Sequence, residues 1–78
     1  MKALVLVAHG SRREASNDEI RELAQAMARR NSDFDKIYPG FLELAEPSIP
    51  DAIRTAAADG ANDIIVMPYF LSAGRHVV

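Results

Sequence analysis

Residues Lys2 to Ala8 read KALVLVA, an apolar stretch that lacks the polar–apolar alternation of a half-exposed strand. Such a run is typical of a strand that is covered on both faces of a parallel sheet. A second run, IIVM at Ile64 to Met67, has the same character and ends at Pro68. The two runs therefore predict parallel strands of one sheet, with their carboxyl ends at the same edge.

A first helix is predicted after the first strand. It is indicated by apolar residues at one-face spacing up to about Arg30, namely Ile20, Leu23, Ala24, Met27 and Ala28. Its start stays open, because Ser11 with Glu14 and Ser16 with Glu19 both have the spacing of a capping box.

The remaining segments complete a β-α-β-α-β order. Asp35 to Leu44 is predicted to be an edge strand, because Pro39 cannot donate a hydrogen bond to a central ladder. A second helix with a face of small residues is predicted between Ser48, as its cap, and Gly60, as its terminator. This order predicts a three-layer α/β fold with a parallel sheet of strand order 2-1-3, the start of a flavodoxin-like sheet. We expect residues 1–78 to form one domain that is incomplete at the C-terminus, because no fourth strand follows.

Composition argues against several classes of protein. The 78 residues are 49% hydrophobic and 26% charged, which allows one small core that is marginal without a partner, a ligand or a further segment. The net charge of −2 gives no basic surface for nucleic acid, and the lack of cysteine excludes disulfides and thiolate metal sites. No apolar run approaches the roughly 20 residues of a membrane span, so we expect a cytoplasmic protein with no membrane contact.

Three chemically active side chains are predicted to meet at the carboxyl edge of the sheet. His9 follows the first strand, Glu43 lies at the end of the second, and His76 lies in the loop after the third. Ligands of open parallel sheets bind at this edge. Two imidazoles and a carboxylate suit a divalent ion such as Fe²⁺, Co²⁺, Ni²⁺ or Zn²⁺, and they can also exchange protons near neutral pH.

Each of these residues also has a structural interpretation, which the residues alone leave open. A histidine after a strand is often a loop residue bonded to backbone, and Glu43 can be a solvated residue of an edge strand. Ser11 can serve only as a helix cap, and Arg12 with Arg13 can mark a solvated helix start.

Three motifs in series resemble the sirohydrochlorin chelatase family. They are VAHGSR at Val7 to Arg12, FLELAEPSI at Phe41 to Ile49, and VMPYFLSAGRHV at Val66 to Val77. These small class II chelatases insert Co²⁺ or Fe²⁺ into sirohydrochlorin, on the routes to cobalamin and sirohaem. The His-Gly-Ser triplet alone is a weak signal, whereas the three motifs in this order cover essentially the whole chain.

The resemblance implies a role for each matching residue. His9 and His76 would be the metal-binding and catalytic histidines, and Glu43 would be the acidic partner at the same edge, binding metal with them. Substrate contacts are implied for five further residues: Ser11, Arg12, Tyr69, Leu71 and Arg75. Tyr69 and Leu71, with Phe70 between them, could form an apolar wall for the macrocycle, or could simply pack over the open sheet edge.

The resemblance also implies partners and a length. The enzyme would be a lyase whose substrates are a divalent metal and a sirohydrochlorin-type tetrapyrrole, with no organic cofactor. Family members continue past the second histidine with an acidic stretch, a helix and at least one more strand, so we expect this chelatase-like half domain to be C-terminally truncated. Short family members pair as homodimers, and the same pairing is an expectation here.

Two other functions stay open at this point. One is a non-catalytic module that binds a metal or a tetrapyrrole on the same fold. The other is phosphoryl transfer with His9 as nucleophile, since histidine phosphatases also place His-Gly after a strand. Those enzymes have an arginine directly before the histidine, where this chain has Ala8.

Overall fold

The structure, a computed structural model, describes residues 1–30 and 33–69. Its elements alternate along the chain: strand β1 at Lys2–Ala8, helix α1 at Glu14–Arg30, strand β2 at Lys36–Phe41, helix α2 at Ile49–Ala58 and strand β3 at Asp63–Pro68. The predicted β-α-β-α-β order is confirmed.

The three strands form one parallel sheet in the order β2-β1-β3. Ala8 at the end of β1 pairs with Phe41 of β2, and Val7 pairs with Pro68 of β3. All three strands therefore end at nearly the same level. The predicted order 2-1-3 is confirmed, and Pro39 lies on an outer strand of this sheet, where its missing N–H costs least.

The helices cover opposite faces of the sheet, which makes the three layers that the sequence predicted. Because successive side chains of a strand point to opposite faces, the residues of β1 divide between two clusters. Leu4 and Leu6 pack with Ala24 of α1, and Val5 and Val7 pack with Ala52 of α2. Residues Ala3 to Ala8 of β1 are each 5% exposed or less, so the continuous apolar pattern does mark a strand covered on both faces.

The helix ends resolve what the sequence left open. Helix α1 begins at Glu14, so Ser16 lies inside its first turn and is not its cap. Helix α2 begins after Ser48, whose hydroxyl accepts a hydrogen bond from the Asp51 N–H at 3.2 Å, as predicted. It ends at Ala58, and Gly60 follows the C-cap residue Asp59 with a φ of +107° and donates to the carbonyl of Ala57, so the predicted terminator is confirmed.

A polar cluster ties β2 to the end of α2. The Tyr38 hydroxyl donates to the Asp59 carboxylate at 2.7 Å, and the Lys36 ammonium lies 3.5 Å from the same carboxylate. Burial and, after it, the hydrogen bond to Asp59 raise the pKa of the Tyr38 phenol to about 12. The same hydrogen bond lowers the pKa of Asp59 from its ordinary value.

Strand β3 is more exposed than its apolar sequence predicts. Ile65, Val66 and Met67 are 43%, 45% and 37% exposed. In the part of the chain that the structure describes, β3 is an outer strand, and both helices lie mainly over β1 and β2. Neither α1 nor α2 has the length and apolar character needed to cross a membrane.

Candidate functional site

The carboxyl edge of the sheet gathers the residues that follow the three strands. His9 comes directly after β1, Glu43 comes two residues after β2, and Tyr69 comes directly after β3. Because the strands are parallel and end at the same level, these three positions share one edge. The first two are the predicted histidine and carboxylate.

His9 and Glu43 are joined through their main chains. The pairing of β1 with β2 ends at Ala8 and Phe41, and two main-chain hydrogen bonds then connect the loops that follow. The Leu42 N–H donates to the Ala8 carbonyl at 2.9 Å. The Glu43 N–H then donates to the His9 carbonyl at 3.1 Å. Both the imidazole of His9 and the carboxylate of Glu43 belong to exposed residues. We call this contact between the two loops the His9–Glu43 junction.

Gly10 lets the two loops come this close. A Cβ atom at this position would lie 1.7 Å from the Glu43 carbonyl oxygen and 2.9 Å from its carbon. The φ of Gly10 is +90°, a backbone conformation that L side chains rarely adopt. Glycine is therefore required here both by the backbone conformation and by the approach of the second loop.

Ser11 is held by a residue that sequence reasoning missed. The Asn17 side chain accepts a hydrogen bond from the Ser11 N–H at 2.9 Å and donates one to the Ser11 carbonyl at 2.8 Å. Asn17 is 2% exposed and is the one polar residue buried among those that the structure describes. The Ser11 hydroxyl accepts from the Arg13 N–H at 3.0 Å, which closes a local turn before α1. The predicted capping box, in which Ser11 would accept from the Glu14 N–H, is therefore wrong.

Arg21 contacts the loop that carries Glu43, and sequence reasoning missed this residue as well. Its guanidinium donates to the Glu46 carbonyl at 2.8 Å and lies 5.2 Å from the centroid of the Phe41 ring. It also contacts the carboxylates of Glu14 at 2.6 Å and Asp18 at 2.7 Å. Its hydrogen bonds to Glu14 and then Asp18 raise the pKa of Arg21, so the guanidinium stays charged.

Two exposed leucines flank Glu43. Leu42 is 56% exposed and Leu44 is 57% exposed. Leu44 has a φ of +67°, in the left-handed region that costs a leucine about 1–2 kcal/mol. Backbone strain of this kind concentrates at binding sites, where the surrounding structure maintains it. Both leucines belong to the FLEL segment, which was predicted to end the edge strand and is part of the second family motif.

The other predicted substrate contacts lie around this edge. Arg12 is exposed in the segment between His9 and α1. Tyr69 is partly buried, packs against the cluster of Leu4 and Leu6, and donates its N–H to the Val7 carbonyl at 2.6 Å. At least part of the Tyr69 side chain therefore packs over the sheet, which is the structural role that the sequence left open for it.

The last three predicted site residues are outside the described residues. They are Leu71, Arg75 and His76. Within residues 1–30 and 33–69, no group of three or more His, Cys, Asp or Glu side chains could hold a metal ion. The His9–Glu43 junction thus joins the main chains of two of the three predicted ligands, and the metal-binding role of all three stays a prediction.

Comparison with known proteins identifies the family. Residues 3–78 match the CbiX family model. The sirohydrochlorin cobaltochelatase of Methanocaldococcus jannaschii is 45% identical over 76 residues, which are 97% of this chain and 52% of that protein. The chloroplastic sirohydrochlorin ferrochelatase of Arabidopsis thaliana is 40% identical over 73 residues, which are 94% of this chain and 32% of that protein.

A solved structure supports the same relationship. The crystal structure of a cobalamin (vitamin B12) biosynthesis CbiX protein from Marinobacter aquaeolei superposes with a TM-score of 0.71 at 30% identity, covering 99% of this chain and 62% of that one. The chain spans about half of the length of the cobaltochelatase. Because the family model extends over all but its first two residues, the chain belongs to the CbiX family.

Proposed function

We propose that this protein inserts Co²⁺ or Fe²⁺ into sirohydrochlorin, with the His9–Glu43 junction as part of the insertion site. The observation that carries the proposal is the hydrogen bond of 3.1 Å between the Glu43 N–H and the His9 carbonyl, which keeps an imidazole and a carboxylate at one sheet edge. The relatives that are named cobaltochelatase and ferrochelatase support the substrate pair.

The reaction makes two demands on such a site. The metal ion must give up bound water, and the macrocycle must lose two pyrrole N–H protons before its nitrogens can bind the ion. An imidazole and a carboxylate can hold a divalent ion of this kind without filling its coordination shell. The same groups can accept protons near neutral pH, so one site can meet both demands.

The exposure of the junction fits a large planar substrate. Since His9 and Glu43 are both exposed, a metal ion held by their side chains keeps open positions toward solvent. A macrocycle approaching from that side can bring its ring nitrogens to the ion directly. In the proposal, His76 supplies the third ligand or accepts a released proton.

The surroundings of the junction supply contacts for the rest of the macrocycle. Leu42 and Leu44 present apolar surface on either side of Glu43. Arg12 and Arg13 are exposed on the side of His9 and can pair with the carboxylates of the polyanionic substrate. We propose the same role for Arg75, and an apolar contact for Leu71 beside Tyr69.

Substitution of the junction residues tests the proposal. In His9→Ala and Glu43→Gln we expect insertion, followed by the change in macrocycle absorbance, to slow by about 100-fold or more, as for loss of a general acid or base. Glu22→Gln removes a carboxylate from the exposed side of α1 and is the matched control. His76→Ala tests the predicted third residue in the same assay. Wild-type rates in His9→Ala or Glu43→Gln would refute the assignment.

A comparison of metals completes the test. Insertion rates with Co²⁺ and Fe²⁺, supplied separately and then together, identify the preferred metal. Binding of sirohydrochlorin without insertion of either ion would instead support a carrier. A mass measurement in solution, made alongside, tests the proposed homodimer.

A further inference from the structure

Helix α1 contacts both loops of the His9–Glu43 junction through side chains that the proposed chemistry does not use. Asn17 forms two hydrogen bonds to the main chain of Ser11, two residues after His9. Arg21 forms one to the main-chain carbonyl of Glu46, three residues after Glu43. The two loops are therefore connected twice, directly through the junction and indirectly through the helix.

The side-chain amide of Asn17 is paired with the main chain of Ser11 at both its oxygen and its nitrogen. A buried primary amide has one acceptor and two donors, and an unpaired buried polar atom costs about 1–3 kcal/mol. Here the amide oxygen and nitrogen bind the N–H and the carbonyl of the same residue, Ser11, at 2.9 and 2.8 Å. This pair of bonds fixes the main chain of Ser11 in both position and orientation, and Ser11 is separated from His9 by Gly10 alone.

The guanidinium of Arg21 connects α1 to the loop that carries Glu43. One of its terminal nitrogens donates to the Glu46 carbonyl, and the other lies between the carboxylates of Glu14 and Asp18. A guanidinium provides several donors in a rigid plane, so it can serve the helix and the loop at once. The guanidinium carbon also lies 5.2 Å from the centroid of the Phe41 ring, which is fully buried at the end of β2.

Asn17 and Arg21 are four residues apart, so they lie on one face of α1. The helix packs rigidly on the sheet through Ala24 and its neighbours. We infer that Asn17 and Arg21 are positioning residues, which set the distance between the imidazole of His9 and the carboxylate of Glu43. The expected effect on catalysis rests on the proposed function, whereas the expected effect on the contact between the loops rests on the hydrogen bonds alone.

Positioning of this kind has a measurable consequence. Groups that orient metal ligands without touching the metal change affinity or activity by about 10–100-fold when they are removed. In Asn17→Ala and in Arg21→Lys we therefore expect the kcat of metal insertion to fall by about that factor. Sirohydrochlorin contacts neither residue in the proposal, so its Kd should change by less than about threefold.

The test has a second measurement that does not depend on catalysis. The Glu43 N–H is the donor of the junction, so its hydrogen exchange, followed by NMR in the same protein, reports directly on the contact between the loops. We expect exchange at this amide to accelerate about tenfold or more in both variants. Arg21→Lys keeps the positive charge beside Glu14 and Asp18, so it tests the geometry of the guanidinium rather than its charge.

Two matched controls lie away from the junction. Asn62→Ala removes an amide that accepts from the N-terminal ammonium at the opposite edge of the sheet. Arg54→Lys alters an arginine that pairs with Asp51 on the exposed side of α2. Neither control should change the exchange of the Glu43 amide or the kcat of insertion.

The outcomes separate this inference from the proposed function. Faster exchange together with a lower kcat supports it, whereas unchanged exchange in both variants overturns it whatever the activity. Faster exchange with an unchanged kcat also overturns it, because the loops would then move without effect on the reaction. If the wild-type protein inserts no metal, the proposed function fails, and faster exchange still supports the anchoring of the two loops by α1.

Discussion

Replacing Gly10 by alanine tests the contact between the two loops at its closest point. The added Cβ would lie 1.7 Å from the Glu43 carbonyl oxygen, whereas real Cβ contacts essentially never fall below 3.0 Å. The two main chains must therefore separate by at least about 1.3 Å. The junction hydrogen bond of 3.1 Å is already near the upper limit of an N–H···O bond, so it would be lost.

The cost of this change has three parts. An alanine held at a φ of +90° is strained by about 1–3 kcal/mol. Forcing a methyl group into an occupied space costs about 1–3 kcal/mol, and loss of the hydrogen bond costs about 1 kcal/mol. The free energy of unfolding should therefore fall by about 3–7 kcal/mol, and the insertion rate should fall with it because His9 and Glu43 separate.

Gly60→Ala is the matched control for the cost of placing an alanine at a positive φ. Gly60 has a φ of +107°, yet a Cβ there would meet no atom within 4 Å. Its cost should be the strain alone, about 1–3 kcal/mol, with no change in insertion rate. Urea denaturation of both variants gives the two free energies, and the macrocycle absorbance assay gives the two rates. If Gly10→Ala proved no less stable than Gly60→Ala and inserted metal at the wild-type rate, the close approach of the loops would be refuted.

Three further outcomes are expected. Leu44→Asn introduces a residue that tolerates a φ of +67°, so the free energy of unfolding should stay within about 1 kcal/mol of the wild-type value. The Kd for sirohydrochlorin should rise several-fold because apolar contact surface is lost, and an unchanged Kd would show that Leu44 does not contact the substrate. The raised pKa of Tyr38, about 12 in the folded state against 10.0 as its ordinary value, means that the folded protein keeps this proton to higher pH. The stabilisation is complete below pH 10 and is lost as pH rises toward about 12, by at most about 3 kcal/mol, and denaturation of Tyr38→Phe across this pH range should show a shallower decline. Ser48→Ala removes the cap of α2 and should cost about 1 kcal/mol in urea denaturation, whereas equal stability would show that the Asp51 N–H finds another acceptor.

The order of strands could be predicted because single residues decide it. Pro39 cannot serve a central strand, so β2 must be an edge strand, and the order 2-1-3 of a flavodoxin-like sheet places it there. Ser48 and Gly60 mark the ends of α2 by chemistry that does not depend on the rest of the fold.

The supporting part of the site could not be predicted in the same way. Asn17 and Arg21 stand at helical spacing from Ala24, on the face of α1 that meets the sheet, but a search for apolar residues passes over them because both are polar. Whether such a residue is buried depends on which loop packs over it, and that depends on the register between β1 and β2. The exposure of Ile65 to Met67 was missed for a related reason, since an apolar sequence shows that a strand can be covered but not that it is.

The start of α1 shows a third kind of limit. Ser11 with Glu14 and Ser16 with Glu19 have the same spacing, and each would suit a capping box. Helix α1 begins at Glu14, so neither serine is its N-cap, and the two hydrogen bonds between Asn17 and Ser11 hold Ser11 in the loop before the helix. A local rule could therefore bracket this boundary without deciding it.

The main-chain contact between the two loops restricts how the chain length can vary during evolution. Surface loops usually tolerate inserted residues, but here the Leu42 and Glu43 N–H groups donate to the carbonyls of Ala8 and His9. One residue inserted between Phe41 and Glu43 would move the Glu43 N–H away from the His9 carbonyl, so the junction would be lost. Relatives should therefore keep the number of residues from β2 to this carboxylate constant, and should place their insertions at positions such as Gly60, around which there is space.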